Sequence, residues 1–140
     1  MLARLGLDVT VTDVSPVGLA LAAEAARAES LELHTIQRDL ETEGLPDGPW
    51  DVLLCHHFLH RPLYRSFAGA LAPGGIAAVC HMTTTNLERN AHPQARWLLE
   101  PGELRGLLAG LDIVSYEEGW DDDGRHTARL VAARPGEQRS

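Results

Sequence analysis

Several things are scarce in this 140-residue chain. No apolar run approaches the roughly 18 residues of a membrane-spanning helix. The opening MLARLGLDV lacks the long apolar stretch of a signal peptide. Only two cysteines occur, Cys55 and Cys80, each inside an apolar run. That is too few for a disulfide framework, and it suggests buried thiols in a reducing, cytoplasmic setting. The seven aromatics (Trp, Tyr and Phe) form no stripe interleaved with basic residues, so a stacking platform for single-stranded nucleic acid is not expected. Positive charge is also short. Twelve basic residues face twenty acidic ones, for a net charge of −8, which argues against non-specific binding to phosphate backbones. There is no internal repeat, no Walker loop, no nucleophile elbow and no Ser-His-Asp order.

The chain does have strand-sized runs alternating with helix-sized ones, and 44% hydrophobic residues, enough for one core. Asp8–Asp13 places Val9 and Val11 against Thr10 and Thr12 at period two, which predicts a strand. Ser15-Pro16 supplies an N-cap and a first helical turn. The helix that follows is expected to bury a stripe of Val17, Leu21, Ala25 and Ala28. Leu31–Gln37 predicts a second strand, and 41–49 a loop. Asp51–His56 (DVLLCH) is nearly all apolar, the pattern of a central strand covered on both faces. Arg61–Ala72 is predicted helical, with Leu63, Phe67 and Leu71 at four-residue spacing, and Pro73-Gly74-Gly75 ends it. Ile76–His81 predicts the next strand, and 82–100 an irregular excursion. Leu104, Leu107 and Leu108 mark a helix stopped near Gly110. Ile113–Glu118 and Ala128–Arg134, joined through Asp121-Asp122-Asp123-Gly124, predict a closing hairpin. The order β-α-β-β-α-β-α-β-β implies an α/β fold: a doubly wound, mainly parallel sheet with a C-terminal antiparallel hairpin. One domain over 1–135 and a polar tail over 136–140 are expected.

In such sheets ligands gather at the carboxyl ends of the strands. That rule selects Asp13, Asp39, His56 and His81 with their neighbours. An acid at position 13 either accepts hydrogen bonds from ribose hydroxyls or stabilises the helix start beside it. Asp39 is either a second ligand acid or a cap. His56, His57 and His60 invite a metal reading, but no carboxylate or cysteine stands at a matching interval, so no metal site is expected. His56 and His57 are the candidates for a general base, and no catalytic residue is singled out. The excursion 82–100 is expected to be a lid that contacts substrate through Thr83, Thr84 and Asn86.

Taken together, the pattern resembles the class I S-adenosylmethionine-dependent methyltransferases over nearly the whole chain. VTVTDVSP is similar to that family's second motif and QRDLE to its third. WDVLLCHHFLH is similar to the strand under the methyl-donating end, LAPGGIAAV to its helix–turn–strand signature, and LDIVSYEEGW with ARLVAARP to its last two strands. The segment ARWLLEPGELRGLL followed by VSYEEG is similar to small methyltransferases of the tellurite-resistance type. The resemblance implies a Rossmann-like fold and S-adenosyl-L-methionine as cofactor, contacted by Asp13, Val14, Asp39, Leu40 and His56. It implies methyl transfer to a small-molecule acceptor, with neither nucleic acid nor membrane as partner. A binding fragment without turnover is the alternative. The family's first strand and glycine loop have no counterpart among the twelve residues before Asp13, where Gly6 is the single glycine. The resemblance therefore implies a chain incomplete at its N-terminus, with Met1 an internal start, negligible methyl transfer by these residues alone, and self-association through exposed strand edges.

Overall fold

The computed structural model describes residues 2–137, so Met1 and positions 138–140 of the expected tail lie outside the described residues. The chain divides into two compact units, one running through Gly44 and the other starting at Leu45.

The first unit opens with a 3-10 turn over Leu2–Leu5, closed by Gly6 with a φ of +85°, a conformation that glycine adopts without strain. Strand β1, Thr10–Asp13, leads into helix α1, Pro16–Ala28, and then into β2, His34–Gln37. Ser15 caps α1, its hydroxyl accepting from the Gly18 amide at 3.1 Å, and Pro16 sits in the first turn as expected. β1 and β2 pair in parallel, Thr10 opposite His34 and Asp13 opposite Gln37. A four-residue helix, α2 (Leu40–Glu43), closes the unit. The buried stripe of α1 is not the expected one. Leu19 and Ala26 are buried, whereas Val17 and Leu21 are 67% and 62% exposed. An alanine-rich helix is weakly apolar all round, so its sequence does not single out one face. Contact with β1 and β2 selects the face carrying Leu19 and Ala26.

The second unit is a four-stranded sheet in the order β3-β4-β6-β5. β3 spans Trp50–His56. Short helices α3, Arg61–Arg65, and α4, Phe67–Ala70, then lead into β4, Leu71–Met82. Helix α5, Leu104–Leu107, precedes β5, Asp112–Trp120, and β6, His126–Ala133. β3 and β4 are parallel, and β6 lies antiparallel to both β4 and β5. The expected helix break at Pro73-Gly74-Gly75 lies inside β4, where a bulge offsets its register against β3 between Trp50 and Val52. Gly75 is required there. A Cβ would stand 2.8 Å from the Ala72 carbonyl oxygen and 3.1 Å from that of Trp50.

One face of this sheet carries the core. Ala77, Val79, Ala128, Leu130 and Ala132 alternate onto it and are buried, together with Leu63, Tyr64, Phe67, Leu104, Leu107 and Leu108 from the helices. Leu63, Phe67 and Leu71 are all buried, but the single helix expected over Arg61–Ala72 is broken into α3 and α4, and Leu71 is the first residue of β4. The neighbouring positions along the strands are more open, with Leu54 60% and Ile76 41% exposed. β3 is therefore not covered on both faces as its composition suggested. It is the edge strand of its sheet, and its continuous apolar run meets packing partners on one side.

Candidate functional site

Both units place chemistry at the carboxyl ends of parallel strands. In the first, β1 ends on Asp13, whose Oδ1 accepts from the Ser15 amide at 3.1 Å, tightening the turn into α1. Among the described residues Asp13 Oδ2 has no hydrogen-bond partner, and Val14 beside it is 63% exposed. β2 continues into Asp39, which is the N-cap of α2. Its Oδ1 accepts from the Glu41 amide at 3.0 Å, while its own amide donates to Glu43 Oε2 at 2.8 Å. The cap reading of Asp39 is thus observed directly, and Leu40 opens the helix it caps. The pairing of β1 with β2 brings Asp13, Val14, Asp39 and Leu40 to one end of the parallel pair.

The second unit places His56 at the end of β3, exposed, with His57 immediately after it. His57 has a φ of +57°, uncommon for a residue with a Cβ and a mark of functional sites when the surroundings enforce it. The enforcement is visible: the His57 amide donates to the Cys80 carbonyl of β4 at 2.9 Å. The His56 and His57 rings meet edge to face at 3.8 Å, and the His57 and His81 rings are 6.3 Å apart. His57 Nδ1 is buried without a partner, which leaves Nε2 as the ring nitrogen open to a ligand. Burial, reinforced by the nearby His56, His81 and Arg125, holds the His57 pKa below the usual histidine value. His81 is 5% exposed; its Nε2–H donates to the Trp97 carbonyl at 2.7 Å, and its pKa is lowered, chiefly by burial. His60 precedes α3 and makes no side-chain cap. No group of three His, Cys, Asp or Glu is placed to hold a metal among the described residues.

His57 lines a cleft of about 450 Å³ together with Met82, Asn86, Asn90, His92, Pro93 and Arg125. Asn86 holds this cleft in shape. It is 1% exposed, and its Oδ1 accepts from the His126 amide at 3.1 Å and from Asn90 Nδ2 at 3.0 Å. Its Nδ2 donates to the His92 carbonyl at 3.3 Å. Thr83 is fully buried, and its Oγ1 pairs with His126 Nδ1 at 2.7 Å. The expectation that Thr83 and Asn86 belong to a mobile substrate lid is therefore corrected. Both are interior struts that tie the excursion to the start of β6. Sequence reasoning missed Asn90, Pro93 and Arg125, because 82–100 has no period and Arg125 follows a turn. The one available signal was an arginine directly after an acidic, glycine-ending turn.

A parallel α/β arrangement closed by an antiparallel hairpin, with polar groups at the carboxyl ends of its strands, is the architecture of Rossmann-like methyltransferases. The chain belongs to the methyltransferase-domain family, whose model matches residues 1–75. A curated relative, the ubiquinone biosynthesis O-methyltransferase of Caulobacter sp. (strain K31), is 31% identical over 132 residues, covering 78% of this chain and 52% of that protein. The chain thus spans about half the length of the curated relative it matches. Among solved structures, TehB from Haemophilus influenzae matches with a TM-score of 0.77 at 18% identity, over 95% of this chain and 52% of that one. The N-methyltransferase NodS from Bradyrhizobium japonicum WM9, in complex with S-adenosyl-L-homocysteine, matches with a TM-score of 0.68 at 17% identity, over 91% and 67%. These likenesses establish the fold.

Proposed function

We propose that this chain takes part in S-adenosylmethionine-dependent methyl transfer to a hydroxyl group of a small-molecule acceptor. The observation that carries the reading is His57, held in a left-handed conformation at the end of β3 with one ring edge on the cleft. Its lowered pKa keeps the imidazole neutral at physiological pH, so its lone pair is available. The name of the curated relative, an O-methyltransferase, supports a hydroxyl as acceptor.

S-adenosylmethionine supplies, when bound, a methyl group already activated on a sulfonium. Part of the residue set expected to hold that cofactor is present. Asp13 Oδ2 is unengaged and takes the ribose hydroxyls, and Val14 offers an apolar surface beside it. Asp39 and Leu40 meet the adenine edge, with Asp39 contributing the oxygen not spent on its cap. His56, at the end of β3, is the further cofactor contact that the family resemblance implies. His57 Nε2 takes the acceptor's hydroxyl proton as the new carbon–oxygen bond forms, and the wall of the cleft orients the acceptor. Most of the acceleration comes from that orientation. The free thiols Cys55 and Cys80 are in keeping with a reducing, cytoplasmic setting.

Calorimetric titration with S-adenosylmethionine tests the cofactor residues. Asp13→Ala should weaken binding about ten- to a hundredfold, the worth of a charge-assisted hydrogen bond of about 1.5–3 kcal/mol. An unchanged dissociation constant removes Asp13 from the site. Mass-spectrometric detection of methylated product over a panel of hydroxylated acceptors tests the base. His57→Gln should slow turnover by roughly 10²–10⁴ with the cofactor constant unaltered. Tight cofactor binding with no product from any acceptor would favour the alternative, a binding module without turnover.

A further inference from the structure

We propose that the cleft beside His57 selects acceptors that carry an anionic group, a carboxylate or its equivalent, and that Arg125 is the residue that recognises it. This deepens the methyl-transfer reading and rests on it for the word acceptor, but the anion site stands on the cleft alone.

The chain is acidic, with a net charge of −8, yet no Asp or Glu lines this cleft. Its one permanently charged wall residue is Arg125, and that guanidinium makes no ion pair among the described residues. Three other arginines contrast with it. Arg61 is clamped by Glu103, Arg129 faces Glu117 at 3.6 Å, and Arg89 lies over the Trp120 ring at 4.0 Å. Asp121, four residues earlier in the same turn, has its Oδ1 committed to the amides of Asp123 and Arg125, each at 2.9 Å. It serves the turn, and no ion pair links it to the Arg125 guanidinium.

The support around Arg125 is built to hold position. The turn that precedes it is fastened on two sides, by the Asp121 bonds and by Asn90 Nδ2 donating to the Gly124 carbonyl at 2.9 Å. The residue that follows it, His126, is fixed by Asn86 through its amide and by Thr83 through its ring. A surface arginine with no task needs none of this. Met82 and Pro93 supply apolar wall to the same cleft, and His57 supplies a neutral ring nitrogen. The complement of that wall is a small molecule with an apolar body, a hydroxyl at one end and an anion at the other. A guanidinium binds such an anion in a paired, directional way.

The test compares two isosteric probes, 4-hydroxyphenylacetate and 4-hydroxyphenylacetamide, by NMR titration of the full chain without any methyl donor. The acid should bind at least about tenfold more tightly than the amide, and its affinity should fall with added salt. Arg125→Gln should reduce the acid to the level of the amide and leave the amide unchanged. Arg125→Lys should recover part of the difference, which a purely structural role for the side chain would not produce. Equal affinity of the two probes, no binding of either, or an Arg125→Gln variant that still prefers the acid would overturn the proposal. Because no turnover is involved, acid selectivity without methylation would defeat the methyl-transfer reading and leave the anion site standing.

Discussion

Asn86 offers the sharpest test of how the cleft is held. Its side chain is almost wholly buried and makes three hydrogen bonds, to the His126 amide, to Asn90 Nδ2 and to the His92 carbonyl. Asn86→Ala removes all three. The His126 backbone amide is left buried without an acceptor, at a cost of about 1–3 kcal/mol, and each of the other two bonds is worth about 0.5–1.5 kcal/mol net. Water entering the vacated space recovers part of the sum, so the expected loss is about 2–4 kcal/mol. Urea denaturation followed by tryptophan fluorescence reads it out. With a slope of about 2 kcal/mol per molar, the midpoint should fall by about 1–2 M with the slope unchanged. The exposed Glu88→Ala, one turn on, should shift it by less than about 0.3 M. The same substitution loosens the residue that follows Arg125, so the preference for the acidic probe should weaken with it. An Asn86→Ala midpoint within about 0.3 M of the parent would refute the strut assignment and restore the picture of a loose substrate lid.

Three further outcomes follow from the same geometry. Gly75→Ala presses a methyl against three backbone carbonyls that have no freedom to yield, and should cost about 1–3 kcal/mol in the same assay, whereas Gly69→Ala, in open space within α4, should be neutral or stabilising by up to about 1 kcal/mol. His81 is buried with its pKa lowered below the unfolded value of about 6.5. The unfolded chain therefore takes up the proton first as pH falls, so stability is full above about pH 6.5 and declines below it, a slope that His81→Gln should reduce and that a flat profile would contradict. His57 shares the lowered pKa, so turnover should hold level down through about pH 6.5 and fall only in more acid solution. A decline already complete at pH 7 would remove His57 as the base.

The parts of the fold legible in the sequence are those with local causes. Ser15-Pro16 announced the start of α1 because a hydroxyl and a pre-set φ act within one turn. Leu63 and Phe67 announced a buried helical face by their four-residue spacing, to which the fold adds Tyr64. The hairpin β5–β6 followed from alternation on both sides of Asp121–Gly124, a turn whose acid satisfies its own amides. The placement of Asp13, Asp39 and His56 at or just after strand ends followed from the order of elements alone.

What the sequence by itself determined, then, is the succession of strands and helices, the strand ends that bear polar groups, and membership in a family that follows from that succession. Tertiary structure alone decided which face of the alanine-rich α1 is buried, that β3 is an edge strand with Leu54 largely open, and that Asn86 and Thr83 are interior struts. It alone brought Arg125 from the end of a turn to the same cleft as His57, 68 positions earlier by their numbers. The physical reason is one of range. Caps, turns and periodicities are energies between residues a few positions apart, and the order of letters records them. Burial and hydrogen-bond satisfaction are energies between residues that only the folded chain makes neighbours, and Asn86 has the same letter whether it faces water or holds the His126 amide in the interior.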